Sequence, residues 1–444
     1  MRFEISRGGS GLTYEIRNIV LIANKLKEYG VDIIWENIGD PVQKGEKIPD
    51  WMKEVLFEII KDDASFAYSP TKGVNATREF LTERLNARGN VRITPEDIIF
   101  FNGLGDAIAR AYSSIQVDAR MIMPEPTYST HFMAEVLHAS FPPNTYRLNP
   151  YNGWHPDMRE LEQKVRSHKA IVGILVINPD NPTGFVYPEE TLRNIVRIAK
   201  ENDLFVVFDE TYINIVYNGK NTVPLSDIVG SVPAISMKGI SKELPWPGSR
   251  CGWMEVYNAG KDPIFDRFIN TILHQKMSEV CSTTLPQLAI PKIMTHPEYD
   301  KYLQERRRHY EKLSDIAYNI LKDVPCMMVN KTDGAFYMTI VFNESGLNSN
   351  QKLHIKNGEI REFVENLVKE PIEHDKRFVY YLLAATGICV VPLTSFFTPL
   401  LGFRMTLLDK DVDEFEHTVK TIAEKFTEYI DSSSKGMQTA IKLY

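Results

Sequence analysis

Residues Ile171 to Tyr212 read IVGILVINPDNPTGFVYPEETLRNIVRIAKENDLFVVFDETY. Two apolar runs rich in β-branched residues, Ile171–Ile177 and Leu204–Phe208, flank the stretch Pro188–Asn202, which has acids in its first turn, bases later, and apolar residues at Leu192, Ile195, Val196 and Ile198. Short continuous apolar runs suit strands buried on both faces, and the spacing between them predicts an amphipathic helix with its charges matched to the helix dipole. Strand, crossover helix, strand is the unit from which parallel sheets are built. Further apolar runs at Ile98–Phe101 and Met121–Met123 extend the alternation toward the N-terminus. The expected fold is therefore α/β: a large domain over residues 50–290 with a mostly parallel sheet flanked by helices, plus a smaller α+β domain formed by residues 1–49 and 291–444.

Past Pro286 the pattern changes to long charged helices, in which the run Arg306, Arg307, Arg308 reads as a solvated helix face. Val412, Phe415, Val419, Ile422 and Phe426 keep helical spacing and are expected to pack on the smaller domain, with fraying from Asp431 onward. Asn343–Gly358, NESGLNSNQKLHIKNG, reads as a surface excursion.

A net charge of -7 leaves no broad basic surface for a phosphodiester backbone, so nucleic acid is not an expected partner. The four cysteines are scattered without paired spacing, which fits neither a disulfide framework nor a zinc site, and points to a reducing cytoplasm with no metal. The apolar run Ile19–Ala23 is broken by Asn24 and Lys25 and is too short for a signal core or a membrane span. Small-molecule chemistry is the remaining expectation.

The richest stretch for chemistry is Gly239–Gly252, GISKELPWPGSRCG. A lone lysine is ordinarily a surface cation. Lys242, on a Gly/Ser-rich loop bounded by prolines and following an apolar strand, is placed to enter a cleft and form a Schiff base with a carbonyl. Asp209 ends the apolar run of LFVVFDETY, where ligands of open parallel sheets bind; it reads either as a helix N-cap or as the partner of a protonated heterocyclic nitrogen. Tyr212 reads as core or as a donor to a phenolate oxygen. Asn178–Gly184, NPDNPTG, is a turn by composition, in which Asn181 can donate to a ligand oxygen. Asn102–Ala107, NGLGDA, lies between a strand and a helical stretch, where main-chain amides can cradle one phosphate; Ile108 stands where a dinucleotide fingerprint needs its last glycine, which argues against a nicotinamide dehydrogenase.

Taken in order, NPDNPTG, DETY, SKxxxxPGSRxG and the late FRMTL resemble the fold type I, pyridoxal-phosphate-dependent aminotransferases of the class I/II group, and the resemblance runs from Ile38-Gly39-Asp40-Pro41 to Arg404. It implies that Lys242 holds pyridoxal 5'-phosphate as a Schiff base and shuttles the proton. Asp209 keeps the ring nitrogen protonated, and Asn181 and Tyr212 bond the phenolic oxygen. Tyr128, in PEPTYSTH, stacks on the ring. Gly103, Leu104, Gly105, Ser241 and Arg250 hold the phosphate, while Tyr68, in AYSPTKG, reaches the phosphate of a partner subunit in a homodimer. Arg404 grips the substrate α-carboxylate and Gly39 closes over it. Two departures stand out: Gly239 replaces a Ser or Thr common in the family, and Leu393 follows Pro392 where glycine is usual, beside a lid near Ser395.

The resemblance further implies ping-pong exchange between an amino acid and a 2-oxo acid. TGICVVP (Thr386–Pro392), FRMTLL (Phe403–Leu408) and YEIRNIVLIANKL look like alanine aminotransferases, favouring alanine with 2-oxoglutarate or pyruvate over aspartate, aromatic or methionine donors. A lyase or decarboxylase on the same fold is the rival enzyme reading. Too few residues precede Ile38 for the helix-turn-helix module of a ligand-sensing regulator.

Overall fold

The computed structural model describes the backbone of residues 15–441 and the side chains of residues 18–433. The large sheet is built from β1 (Ile98–Phe101), β2 (Arg120–Glu125), β3 (Asn144–Asn149), β4 (His155–Pro156), β5 (Ile171–Ile177), β6 (Phe205–Asp209), β7 (Ala234–Gly239) and β8 (Gly252–Tyr257). Its spatial order is β1-β8-β7-β6-β5-β2-β3-β4. The central strands β7, β6, β5, β2 and β3 pair in parallel, and antiparallel pairs occur only toward the edges. The sequence unit that opened the reading is the middle of this sheet: the helix Glu189–Glu201 buries Leu192, Ile195, Val196, Ile198 and Ala199 between β5 and β6 in chain order. Acids at Glu189 and Glu190 and Lys200 in the last turn match its dipole.

The register aligns Ile177 with Asp209 and Asp209 with Met237, so β5, β6 and β7 end together at one edge. Carboxyl ends of parallel strands are where such sheets bind ligands, because the loops that follow diverge there. A second sheet is antiparallel: β9 (Met327–Val329), β10 (Tyr337–Phe342), β11 (Val391–Pro392) and β12 (Gly402–Thr406), in the order β9-β10-β12-β11 among the described residues. A short parallel pair, Ile34–Trp35 with Ile388–Cys389, ties the N-terminal segment to this half. The helix Glu15–Glu28 buries Ile19, Ala23 and Leu26 in the same apolar cluster as Phe415, Val419, Ile422 and Phe426. Among the described residues no helix is long and apolar enough to cross a membrane.

Three sequence expectations are corrected. The final helix, Val412–Ile441, runs on past Asp431, where fraying was expected. Asn343–Gly358 lacks long regular structure but is no mere excursion: Leu353 and Ile355 are buried in the core, and Lys352 N donates to Ser432 Oγ at 3.0 Å. Two apolar side chains among polar neighbours were too sparse a pattern to announce that docking. The run Arg306–Arg308 is not a solvated face, because Arg306 is only 6% exposed. It lies on the long helix Tyr299–Leu321, whose buried residues Leu303, Arg306, Tyr310, Leu313 and Ala317 share one stripe, and three consecutive residues of a helix point in three directions.

In the smaller half Phe378 is fully buried, with rings of Phe342, Phe426 and Tyr429 at 5.5, 5.1 and 5.3 Å between centroids. Removing that ring leaves a cavity that three aromatic neighbours cannot collapse into. Phe378→Ala should destabilise the protein by about 3–5 kcal/mol, read as a lower urea midpoint with an unchanged slope.

Candidate active site

Asp209 is the last residue of β6, and its carboxylate is almost wholly enclosed. Oδ1 accepts from Thr211 N at 3.1 Å and Thr211 Oγ1 at 2.6 Å; Oδ2 lies 3.1 Å from His131 Nε2. Burial pushes the carboxyl upward, but the hydrogen bond and charge of His131, with the Thr211 donors, outweigh it and hold Asp209 below the ordinary carboxylate value. An ionised carboxylate can only accept, so Nε2 of His131 carries the proton between them. His131 sits in the helix Ser129–Ala139, three residues after Tyr128, and the two rings meet edge to face at 6.4 Å. Its role was missed in the sequence, where it closes the very stretch PEPTYSTH that singled out Tyr128. One histidine on a helix carries no signal until the helix is docked on the sheet.

Lys242 follows β7 on the loop beyond Gly239, with Ser241 half-buried beside it. Its Nζ donates to Gly39 O at 2.6 Å and stands 5.8 Å above the Phe336 ring. Arg404 projects from β12, 4% exposed; Nη2 donates to Asn37 O at 2.7 Å and Nη1 to Asn181 Oδ1 at 3.4 Å. Its guanidinium packs on the rings of Tyr337 at 4.4 Å and Phe396 at 5.0 Å. Engaging Asn181 through its oxygen turns the amide nitrogen toward other acceptors. Tyr212 OH donates to Tyr337 OH at 3.1 Å, and a side chain at Gly39 would collide with that same Tyr337 hydroxyl. Tyr337 is thus a second residue of the cluster that sequence reasoning missed; in GAFYMTI it looks like any strand aromatic. Asn178–Gly184 packs tightly against the same strand, for Gly184 has φ +73° and a Cβ there would lie 2.5 Å from Tyr337 O.

At the other end of the cluster the helix Leu104–Ser113 begins at Gly103, which has φ +83° and no side-chain cap. A Cβ on Gly103 would stand 2.5 Å from Arg250 Nη2, so only glycine lets the guanidinium lie over the helix start. Arg250 Nη2 reaches Asn102 O at 3.4 Å and Nη1 reaches Pro247 O at 3.3 Å. A Cβ on Gly105 meets nothing within 4 Å. Uncapped amides, open space at Gly105 and a guanidinium above them make a donor set suited to a phosphate dianion. The departure at Gly239 has a steric account: it pairs with Gly252, and a Cβ there would lie 3.1 Å from Cys251 O and 3.7 Å from Leu104 Cγ. Leu393, the other departure, is buried in the main core. Ser395 is buried in the short turn Leu393–Phe396 that also carries Phe396. Tyr68 is 84% exposed, and the hydrogen bonds that knit this cluster do not include it.

Beside the cluster, Asp180 is buried, its Oδ2 accepting from Thr183 N at 3.1 Å and Thr183 Oγ1 at 2.5 Å, while its Oδ1 has no partner among the described residues. Burial lifts it from an ordinary 3.8 to about 7, against the pull of the Thr183 bonds. With the folded value above the unfolded one, the protonated carboxyl contributes stability that is complete below the unfolded value and is lost as pH rises through about 7. Urea unfolding at about pH 5 and about pH 8 should therefore show a loss at the higher pH that Asp180→Asn reduces.

Comparison with known proteins gives this geometry a family. The model of the family described as aminotransferase class I and II matches residues 31–422. An uncharacterized aminotransferase of Methanocaldococcus jannaschii is 56% identical over 426 residues, 96% of this chain and 98% of that protein. The glutamate-pyruvate aminotransferase AlaA of Escherichia coli is 30% identical over 329 residues, 73% of this chain and 79% of that protein. Among solved structures, an aminotransferase from Escherichia coli superposes with a TM-score of 0.83 at 25% identity, covering 97% of this chain and 99% of that one. The alanine aminotransferase from Pyrococcus furiosus gives 0.81 at 26% identity, covering 96% and 100%. A family model spanning nearly the whole described chain, a relative identical at more than half its positions, and a fold shared end to end lead to one conclusion: the chain belongs to the class I and II aminotransferases and is an enzyme that transfers amino groups between amino acids and oxo acids.

Proposed function

We propose that this aminotransferase is pyridoxal-phosphate-dependent and exchanges an amino group between an L-amino acid, with alanine favoured, and 2-oxoglutarate or pyruvate, by a ping-pong sequence. The observation that carries the reading is that Lys242 Nζ and the buried Arg404 guanidinium are met by carbonyl oxygens two residues apart on one loop, Gly39 O and Asn37 O. That arrangement sets an amine and a carboxylate-binding fork within one cleft. A carboxylate, which takes two parallel hydrogen bonds and carries charge, binds such a fork better than a single carbonyl does.

The uncapped helix start at Gly103, the open space at Gly105 and the overlying Arg250 fit the phosphate of the cofactor, and the buried, ionised Asp209 fits its ring nitrogen. When bound, the cofactor supplies a conjugated cation that accepts the electron pair left at Cα as a proton departs. In this reading Asp209, backed by His131, keeps that ring nitrogen protonated. Asn181 would donate to the ring oxygen, Tyr212 would do so by turning its hydroxyl from Tyr337, and Tyr128 would cover a face of the ring. Gly103, Leu104, Gly105 and Ser241 supply donors to the phosphate together with Arg250, and the exposed Tyr68 suits a contact with the second copy in a homodimer. Lys242 Nζ would take the proton from Cα as general base. Arg404 fixes the carboxylate and so sets which bond at Cα faces Lys242.

Alanine is favoured for two reasons. The relatives include proteins described as glutamate-pyruvate and alanine aminotransferases, from Escherichia coli and Mycobacterium bovis, and a neighbour of the fold is the Pyrococcus furiosus alanine aminotransferase. The rings of Phe336, near Lys242, and of Tyr337 and Phe396, beside Arg404, also give the two groups apolar surroundings, which suits a small apolar side chain.

Purified holoenzyme should be yellow, and borohydride should abolish the band and leave an adduct that maps to Lys242; colourless protein that takes up no pyridoxal phosphate sinks the reading. Titration with single amino acids, no oxo acid present, should convert the spectrum to the aminated form with alanine and glutamate, and failure with every amino acid would favour a lyase or decarboxylase. Arg404→Ala should keep the colour while raising the KM for alanine on the order of 10²-fold, the usual scale for removing one partner of a buried charge pair.

A further inference from the structure

Arg306 lies where three segments meet, and its contacts tie them together. Nη1 donates to the carbonyl oxygens of Lys242 at 2.8 Å and Glu243 at 2.5 Å. On its other edge, Nη2 donates to Glu46 Oε2 at 3.1 Å, and Nε forms an ion pair with Glu46 Oε1 at 2.7 Å without hydrogen-bond alignment. Nη2 also donates to Tyr310 OH at 2.6 Å, and the guanidinium sits 5.6 Å and 5.3 Å from the rings of Tyr302 and Tyr310. Tyr302 OH donates to Glu46 Oε1 at 2.7 Å. Glu46 ends the loop whose Gly39 O accepts from Lys242 Nζ. Within that loop Glu46 N is bonded to Pro41 O at 2.9 Å, and Lys44 Nζ ties it to Glu36 at 2.9 Å and Asp409 at 2.7 Å. Arg306 therefore links the main chain of Lys242 directly to the Glu46 end of the loop, whatever Nζ itself is bonded to.

A buried guanidinium is an expensive way to fill a core, since hydrophobic side chains of similar volume do so without desolvating a charge. What it offers instead is a planar fork with donors on two edges at fixed separation. We propose that Arg306 is a positioning residue for transamination: it holds the main chain of Lys242 and the Glu46 end of the loop in register, so that seating of the loop over substrate and alignment of the Lys242 amine occur together. This rests on the role given to Lys242 above.

The test uses pyridoxal-phosphate-loaded enzyme in the forms wild type, Arg306→Ala, Arg306→Lys, Glu46→Gln, the Arg306→Ala/Glu46→Gln double variant, and Arg308→Ala as the exposed neighbour. Arg306→Ala should form the borohydride adduct at Lys242 as wild type does yet lose on the order of 10- to 100-fold in kcat, the scale set by misplacing a reacting group by about 1 Å. Glu46→Gln, which loosens only the loop arm, should raise the KM for the amino acid about three- to tenfold with kcat little changed. Because both act through one contact, the double variant should be no worse than Arg306→Ala. Arg306→Lys keeps the charge without the fork and should recover only part of the rate, and Arg308→Ala should match wild type. Additive losses in the double variant, or wild-type kcat and KM in Arg306→Ala with the adduct intact, would overturn the positioning role alone. Should Arg306→Ala fail to fold, Glu46→Gln decides, and a wild-type KM there overturns the proposal. Absence of the adduct from wild type would remove the Lys242 reading and this one with it.

Discussion

Arg404 is a cation withdrawn from bulk water, and a buried cation must be met by oxygens or the fold loses several kcal/mol. Such oxygens include Asn37 O on the N-terminal loop and Asn181 Oδ1 on the turn after β5. Meeting that one demand joins the two sheets. β12, which carries Arg404, is thereby set against the carboxyl edge of the parallel strands, and the loop holding Asn37 is drawn across the gap so that Gly39 O faces Lys242. Aromatic faces of Tyr337 and Phe396 complete the enclosure, cation against ring on either side.

The opposite wall depends on a charge of the other sign. Asp209 is enclosed as deeply as Arg404, and burial alone would protonate it. His131 and Thr211 reverse that outcome, so a negative charge stands at the end of β6 where a ring cation can use it. Asp180, on the turn after β5, has hydrogen bonds from Thr183 but no cationic partner among the described residues, and its carboxyl rises to about 7. Two buried aspartates at the ends of adjacent strands are thus shifted in opposite directions, and the histidine is the partner that Asp209 has and Asp180 lacks among the described residues.

The third element is the junction at the helix start. Gly103 and Arg250 are separated by more than a hundred residues, yet each requires the other's position: the guanidinium lies where a Cβ would be. Gly239, pressed against Cys251 O and paired with Gly252, shows the same economy of space on the adjoining strand. With no side-chain cap at Gly103 and nothing within 4 Å of a Cβ on Gly105, the helix Leu104–Ser113 starts with room for an anion.

Sequence alone determined the alternation of buried strands and amphipathic helices, hence the α/β fold, because apolar periodicity reports which faces leave water. The resemblance of its ordered motifs to a known family also named most of the cluster, Lys242, Asp209, Asn181, Tyr212, Arg250 and Arg404, which residue types alone left open. What it could not show are His131, Tyr337 and Arg306, ordinary residues on a helix, a strand and a helix, and the buried segment around Leu353 and Ile355. Those positions acquire meaning only when distant segments meet. Arg306 reads as one charge of a solvated run until the helix Tyr299–Leu321 is docked, and docking alone supplies the carbonyls of Lys242 and Glu243 and the carboxylate of Glu46. Local pattern records burial along one element; partners contributed by residues far apart in the chain are decided by tertiary packing.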